Sequence, residues 1–184
     1  MNFSDLITPE LVLVPFESED KWTAISAMAR ASVTAGQLPE RKFEEVDRAL
    51  LERERSLTTG MEHGIAIPHA AVDGIDDLIT VLGLSSKGIP FEAVDGLPAR
   101  IVVCLIIPRA KKLLHIKTLA AIARLLGREA VRDDLLRCTA PASVVDVLRA
   151  AEADSQATSV TVGLTPGENV TSRKVSVAGS RSTE

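Results

Sequence analysis

Leu57-Thr-Thr-Gly-Met-Glu-His-Gly-Ile-Ala-Ile-Pro-His69 is the stretch on which the reading of this chain turns. A short apolar segment, Ile65-Ala-Ile67, runs into a proline, and a histidine follows directly. Proline restricts its own φ and pushes the residue before it into an extended conformation. The His69 imidazole is therefore expected to spring from a stiff strand end. Thr58, Thr59 and Gly60 lie just upstream as small residues with hydroxyl and backbone donors. A neutral imidazole offers a nucleophilic ring nitrogen near pH 7. Donors beside it can stabilise charge that moves during a group transfer. Taken alone, a Pro-His pair is also what an ordinary strand-to-loop turn contains.

Outward from this stretch, strand and helix patterns alternate. The segment from Glu10 to Phe16 reads as a short strand. Trp22, Ile25, Ala29 and Val33 recur at helical spacing between Glu19 and Gly36, and the glycine fits a helix stop. A second helix opens at Pro39, with Phe43, Val46 and Leu50 on one stripe. Three residues further along that stripe stands Arg53, a charge on an apolar side, which calls for a partner. Leu78 to Leu84 and Arg100 to Ile107 are apolar runs of strand length. The second reads as a central strand covered on both faces, closed by Pro108. Helical patterns follow at Lys112–Leu126, Arg128–Leu136 and Ala142–Ala153. His115 begins the stripe His115, Leu119, Ile122, Leu126, so it is expected on a buried face near a helix start. Strands interleaved with helices predict an α/β layer structure in a single domain over 1–153. From 154 to 184 the chain turns rich in Ser, Thr and Gly, with too few large apolar groups to offset the entropy of ordering. A disordered tail is expected there.

Three separately placed motifs, in order and at the right spacing, give a resemblance that covers residues 1–153. They are Arg53-Glu54, Thr59-Gly60 through Ile67-Pro68-His69, and His115-Ile-Lys-Thr-Leu119. The chain resembles the phosphotransferase-system enzyme IIA domains of the fructose, mannitol and nitrogen-regulatory type. In that family the histidine of a Thr-Gly-x-x-x-Gly-Ile-Ala-Ile-Pro-His segment is phosphorylated. The resemblance implies a mixed central sheet flanked by helices. It makes His69 the phosphoryl acceptor, with HPr or its nitrogen-type relative as donor. It implies that His115 positions His69 or holds the phosphoryl group, and that Arg53 grips phosphoryl oxygens, as a guanidinium can do bidentately. Thr58, Thr59 and Gly60 are expected as phosphoryl-binding residues. Phosphate would pass to an enzyme IIB domain, or the phosphorylation state would govern binding to a regulatory target protein. His63, together with the absence of fused transporter domains, favours the nitrogen-regulatory branch over the sugar-transport one. Glu62 stands where members often carry glycine. A carboxylate pointing inward there would repel a phosphoryl group, so it is expected to point outward. It also motivates a rival reading, an interaction module that transfers no phosphate.

Composition closes off other classes. With a formal charge of −4, the chain has no basic surface suited to nucleic acid. Cys104 and Cys138 stand far apart, outside any metal-ligand spacing. His63 and His69 are six apart and no His-Glu-x-x-His is present, so no metal site is expected. No Walker or Rossmann glycine pattern occurs, and no Gly-x-Ser-x-Gly elbow, so no cofactor is expected. The N-terminus lacks a cationic start followed by an apolar stretch. The longest apolar run, Ile101 to Ile107, is far short of a membrane span. A cytoplasmic protein is expected, without direct membrane insertion.

Overall fold

The structure, a computed structural model, describes residues 2–161. Its centre is strand β6, Ala99–Pro108, in which every residue but Arg100 is buried. Side chains alternate across a strand. Ile101, Val103, Leu105 and Ile107 enter one apolar core, while Val102, Cys104 and Ile106 enter another. That is why the run lacks a polar alternate, as expected of a strand covered on both faces.

β6 pairs antiparallel with β5 (Ile79–Ile89), and β5 pairs parallel with β1 (Val12–Leu13). On its other side β6 pairs parallel with β3 (Ile65–Ala66) and with β4 (His69–Val72). The hairpin partner of β3, β2 (Gly60–Met61), completes a six-stranded mixed sheet of order β1-β5-β6-β3-β2, with β4 alongside β6. Helices α1 (Lys21–Thr34) and α2 (Phe43–Ser56) cover one face. Helices α3 (Lys112–Leu126), α4 (Glu129–Arg137) and α5 (Pro141–Thr161) cover the other. The result is the expected α/β architecture with a mixed central sheet.

The boundaries of β1, β5 and α5 are among those that differ from the sequence reading, as is that of α2, which begins at Phe43 after a 3-10 turn over Glu40–Lys42. β1 is shorter, because Pro9–Leu11 forms a 3-10 turn and Pro15 has no N–H to donate to a ladder. β5 runs on past Leu84 through a polar, irregular stretch. There the Glu17 carboxylate accepts from the Ser85 hydroxyl (2.9 Å) and from the Ser86 N–H (2.9 Å) and hydroxyl (2.8 Å). α5 continues past Ala153 to Thr161, and beyond that the expected tail lies outside the described residues. Among the described residues no helix is long and apolar enough to cross a membrane.

Candidate phosphoryl-transfer site

Residues 65–72 lie along β6 as one interrupted strand. Pro68 has no N–H, which splits it into β3 and β4. The Pro68 carbonyl still accepts from Leu105 N at 2.9 Å, and Ile67 N donates to Thr59 O at 3.1 Å. His69 therefore stands at the first position of β4, where pairing with β6 resumes after the proline. The pairing of β4 with β6, which spacing alone does not reveal, carries the chain on past the proline. Alternation then sets its direction. Ala70 and Val72 enter the core under α1 and α2. His69 takes the opposite face, beside α3, and stays half-buried.

His69 Nδ1 lies 2.7 Å from the Ile67 carbonyl oxygen. A carbonyl only accepts, so Nδ1 carries the proton and the ring lone pair is at Nε2. Burial pushes the His69 pKa below its ordinary value. The Ile67 hydrogen bond pulls it up, and the Arg53 and His115 charges push it down again. A depressed histidine pKa keeps the ring neutral through pH 7 and down past the usual value. The stability gained from holding it neutral is complete above about pH 6.5 and is lost as the pH falls through the folded-state value. By NMR titration, the His69 midpoint is expected below 6.5. Arg53→Gln should raise it, because a repelling charge is gone. A midpoint unmoved by that substitution would detach Arg53 from the imidazole.

His115, in the first turn of α3, meets His69 with ring centroids 5.1 Å apart and planes tilted by 56°. Its Nε2 is buried and has no hydrogen-bond partner. Burial, then the Arg53 charge, lowers its pKa too. Two neutral imidazoles thus face one another, one with a lone pair at Nε2 and one with an unsatisfied polar nitrogen.

A pocket of about 280 Å³ is lined by Arg53, Thr58, Thr59, Gly60, Ile67 and His69, among others. The structure brings together every residue expected at the site, with His115 touching it through His69. Arg53 is half-buried and donates from Nη1 to the Leu57 carbonyl at 2.7 Å. The Thr58 hydroxyl donates to the Phe91 carbonyl. The Thr59 hydroxyl donates to Glu54 Oε2 at 2.5 Å. Both hydroxyl protons are committed inside the protein, so these two residues shape the pocket wall. Gly60 is needed there for space. A Cβ on it would stand 2.8 Å from the Phe91 carbonyl oxygen and 3.1 Å from the backbone of Ala93. Backbone yields little, so Gly60→Ala is expected to lower stability by about 1–3 kcal/mol, read as a reduced urea midpoint. An unchanged midpoint would mean that the facing segment can withdraw.

The sequence reading missed Glu54 as a site residue in its own right. The buried stripe of α2 runs Val46, Leu50, Glu54, at steps of four, and leaves Arg53 on its margin. Steps of three and four both lie on one helical face, so periodicity alone favoured neither. Glu62 is exposed and is not among the residues that line this pocket. His63 is exposed at the tip of the β2–β3 hairpin, with φ of 67° and its N–H on Asp95 Oδ2 at 2.8 Å. Among the described residues no group of three or more His, Cys, Asp or Glu side chains is placed to hold a metal ion.

The sequence and the fold have parallels among known proteins. Residues 5–151 match the family model described as "Phosphoenolpyruvate-dependent sugar phosphotransferase system, EIIA 2". A fructose-specific EIIA component from Haloferax volcanii is 36% identical over 151 residues, which is 80% of this chain and 97% of the relative. A nitrogen regulatory protein from Bradyrhizobium diazoefficiens is 34% identical over 127 residues, 68% of this chain and 80% of the relative. The fold matches that of Escherichia coli enzyme IIAMTL, solved in a complex with phosphorylated enzyme IIBMTL. The TM-score is 0.66 at 20% identity, covering 78% of this chain and 97% of that one.

Proposed function

This chain belongs to the EIIA 2 family of the phosphoenolpyruvate-dependent sugar phosphotransferase system and is a phosphoryl carrier of that type, and we propose that its acceptor atom is Nε2 of His69. The observation that carries this is the Ile67 carbonyl on Nδ1, which leaves the lone pair at the other nitrogen of a ring that lines the pocket.

The donor is a phosphohistidine on HPr or its nitrogen-type relative. The His69 Nε2 lone pair attacks phosphorus in line. As the Nε2–P bond forms, the donor P–N bond breaks, and its electron pair returns to the donor ring. Positive charge that develops on the His69 ring is stabilised through the Nδ1–H by the Ile67 carbonyl. The Arg53 guanidinium and the unpartnered His115 nitrogen take up the charge on the equatorial oxygens. Thr58, Thr59 and Gly60 hold the wall against which the group is placed. No metal or cofactor enters these steps.

Two onward fates each have an observation in their favour. His63, exposed on the hairpin next to the pocket, supports a nitrogen-regulatory role. There, up to roughly two added negative charges would change what the site face binds. The fructose-specific relative, matched over 97% of its length, supports delivery to an enzyme IIB domain. Both place the protein in the cytoplasm with its donor. The test is incubation with phosphoenolpyruvate, enzyme I and HPr, expected to give acid-labile phosphate on the protein. An unlabelled wild type would sink the carrier reading. Adding an enzyme IIB domain to the labelled protein then separates the fates: label that moves on marks transport, and label that stays marks regulation.

A further inference from the structure

Thr59, just past the end of α2, and Lys21, remote in sequence, meet on one carboxylate, that of Glu54. Glu54 is only 2% exposed, and its Oε2 accepts from both the N–H (3.0 Å) and the hydroxyl (2.5 Å) of Thr59. Its Oε1 faces the Lys21 ammonium at 3.2 Å. Lys21, on the first turn of α1, is itself only 4% exposed and also pairs with Glu92 at 2.9 Å. Glu92 belongs to the segment whose Phe91 carbonyl takes the Thr58 hydroxyl and whose Ala93 backbone abuts Gly60.

Resting on the phosphoryl-carrier reading, we propose that Glu54 and Lys21 are positioning residues that form a buried, charge-balanced pair. Glu54 clamps the pocket wall through Thr59, and Lys21 cancels the negative charge that this clamp would otherwise present to an incoming phosphoryl group.

The clamp leads to the reacting ring in short steps. Thr59, held by Glu54, accepts through its own carbonyl from Ile67 N, and the Ile67 carbonyl accepts from His69 Nδ1. A carboxylate is the stronger acceptor for two donors at once, which explains an acid here where an amide would fit. The same charge is a hazard beside a site for an anion. A buried carboxylate without a partner is costly, and its field is poorly screened. Its reach extends to His69, where the Arg53 charge pushes the imidazole's pKa down and the Glu54 charge pulls it up. Lys21 meets the requirement for a counter-charge. Burial pushes its pKa down, but Glu92 and Glu54 more than reverse this and keep it charged.

A clamp that were merely structural would respond alike to loss of either partner. A charge-balanced pair responds with opposite signs. The test compares wild type, Lys21→Met, Glu54→Gln and the double variant. It reads the rate of labelling from phosphoenolpyruvate, enzyme I and HPr, and the His69 titration midpoint by NMR. Lys21→Met should slow labelling on the order of tenfold and raise the midpoint, because Glu54 is left uncompensated. Glu54→Gln should lower the midpoint. The double variant should bring it back toward wild type and regain part of the rate lost in Lys21→Met. Midpoints that move together in the two single variants, or not at all, overturn the proposal. If Lys21→Met does not fold, Glu54→Gln and the double variant still decide: the midpoint must fall in the first and return in the second. A wild type that takes no label removes the carrier reading, whereas the midpoints still judge the charge balance on its own.

Discussion

His69→Ala is expected to take up no acid-labile phosphate under conditions that fully label the wild type. The argument is one of chemistry rather than of stability. Nucleophilic transfer needs a lone pair at the reacting position, and the methyl of alanine has none. His115 is not a substitute: it stands in the first turn of α3, outside the lining of the pocket, and reaches the site only through its contact with the His69 ring. The fold should persist. The backbone of residue 69 keeps its place beside Leu105 in the ladder with β6. What is lost is the Nδ1 bond to the Ile67 carbonyl, about 0.5–1.5 kcal/mol. Label that survives in His69→Ala would transfer the acceptor role elsewhere. In the wild type, NMR of the phosphorylated protein should place phosphorus on Nε2. A phosphate on Nδ1 would require the ring to break its bond with Ile67 and turn, contrary to the geometry.

Arg53→Ala is expected to slow phosphorylation by about 10²–10³-fold, the loss typical when one preorganised donor to transition-state charge is removed. Arg53 lines the pocket, and its field is felt at both histidines. Its bond to the Leu57 carbonyl fixes one end of the guanidinium where helix α2 gives way to the pocket wall. Because Arg53 is only half-buried, the effect on stability should be small beside the effect on rate. Arg53→Lys should recover only part of the rate, since a point charge replaces a planar fork. Rapid-quench labelling at saturating donor measures both variants. A rate for Arg53→Ala within a few-fold of wild type would remove the guanidinium from the transfer.

Much of this was legible in the residues themselves. The run Ile101 to Ile107 announced a strand buried on both faces. The stripe of His115, Leu119, Ile122 and Leu126 put an imidazole toward the sheet, where it meets His69. The errors are equally specific. A proline after Ile67 looked like a strand end, yet β4 resumes at His69, because β6 supplies a parallel partner from more than thirty residues further along. On α2, a step of three from Leu50 led to Arg53, which is half-buried, whereas the fully buried charge stands four residues on, at Glu54.

By itself, the sequence determined the kinds of group available and their local directions: two imidazoles, a guanidinium, and a rigid Ile-Pro-His backbone. These follow from side-chain chemistry, proline sterics and the periods of strand and helix, all of which act within a few residues. Only the tertiary structure decided which carboxylate is buried, that Lys21 stands against it and pairs in turn with Glu92, and how far His69 and His115 are stripped of water. Desolvation and ion pairing depend on surfaces that meet across the sheet and between helices, and no local pattern encodes which surfaces those are.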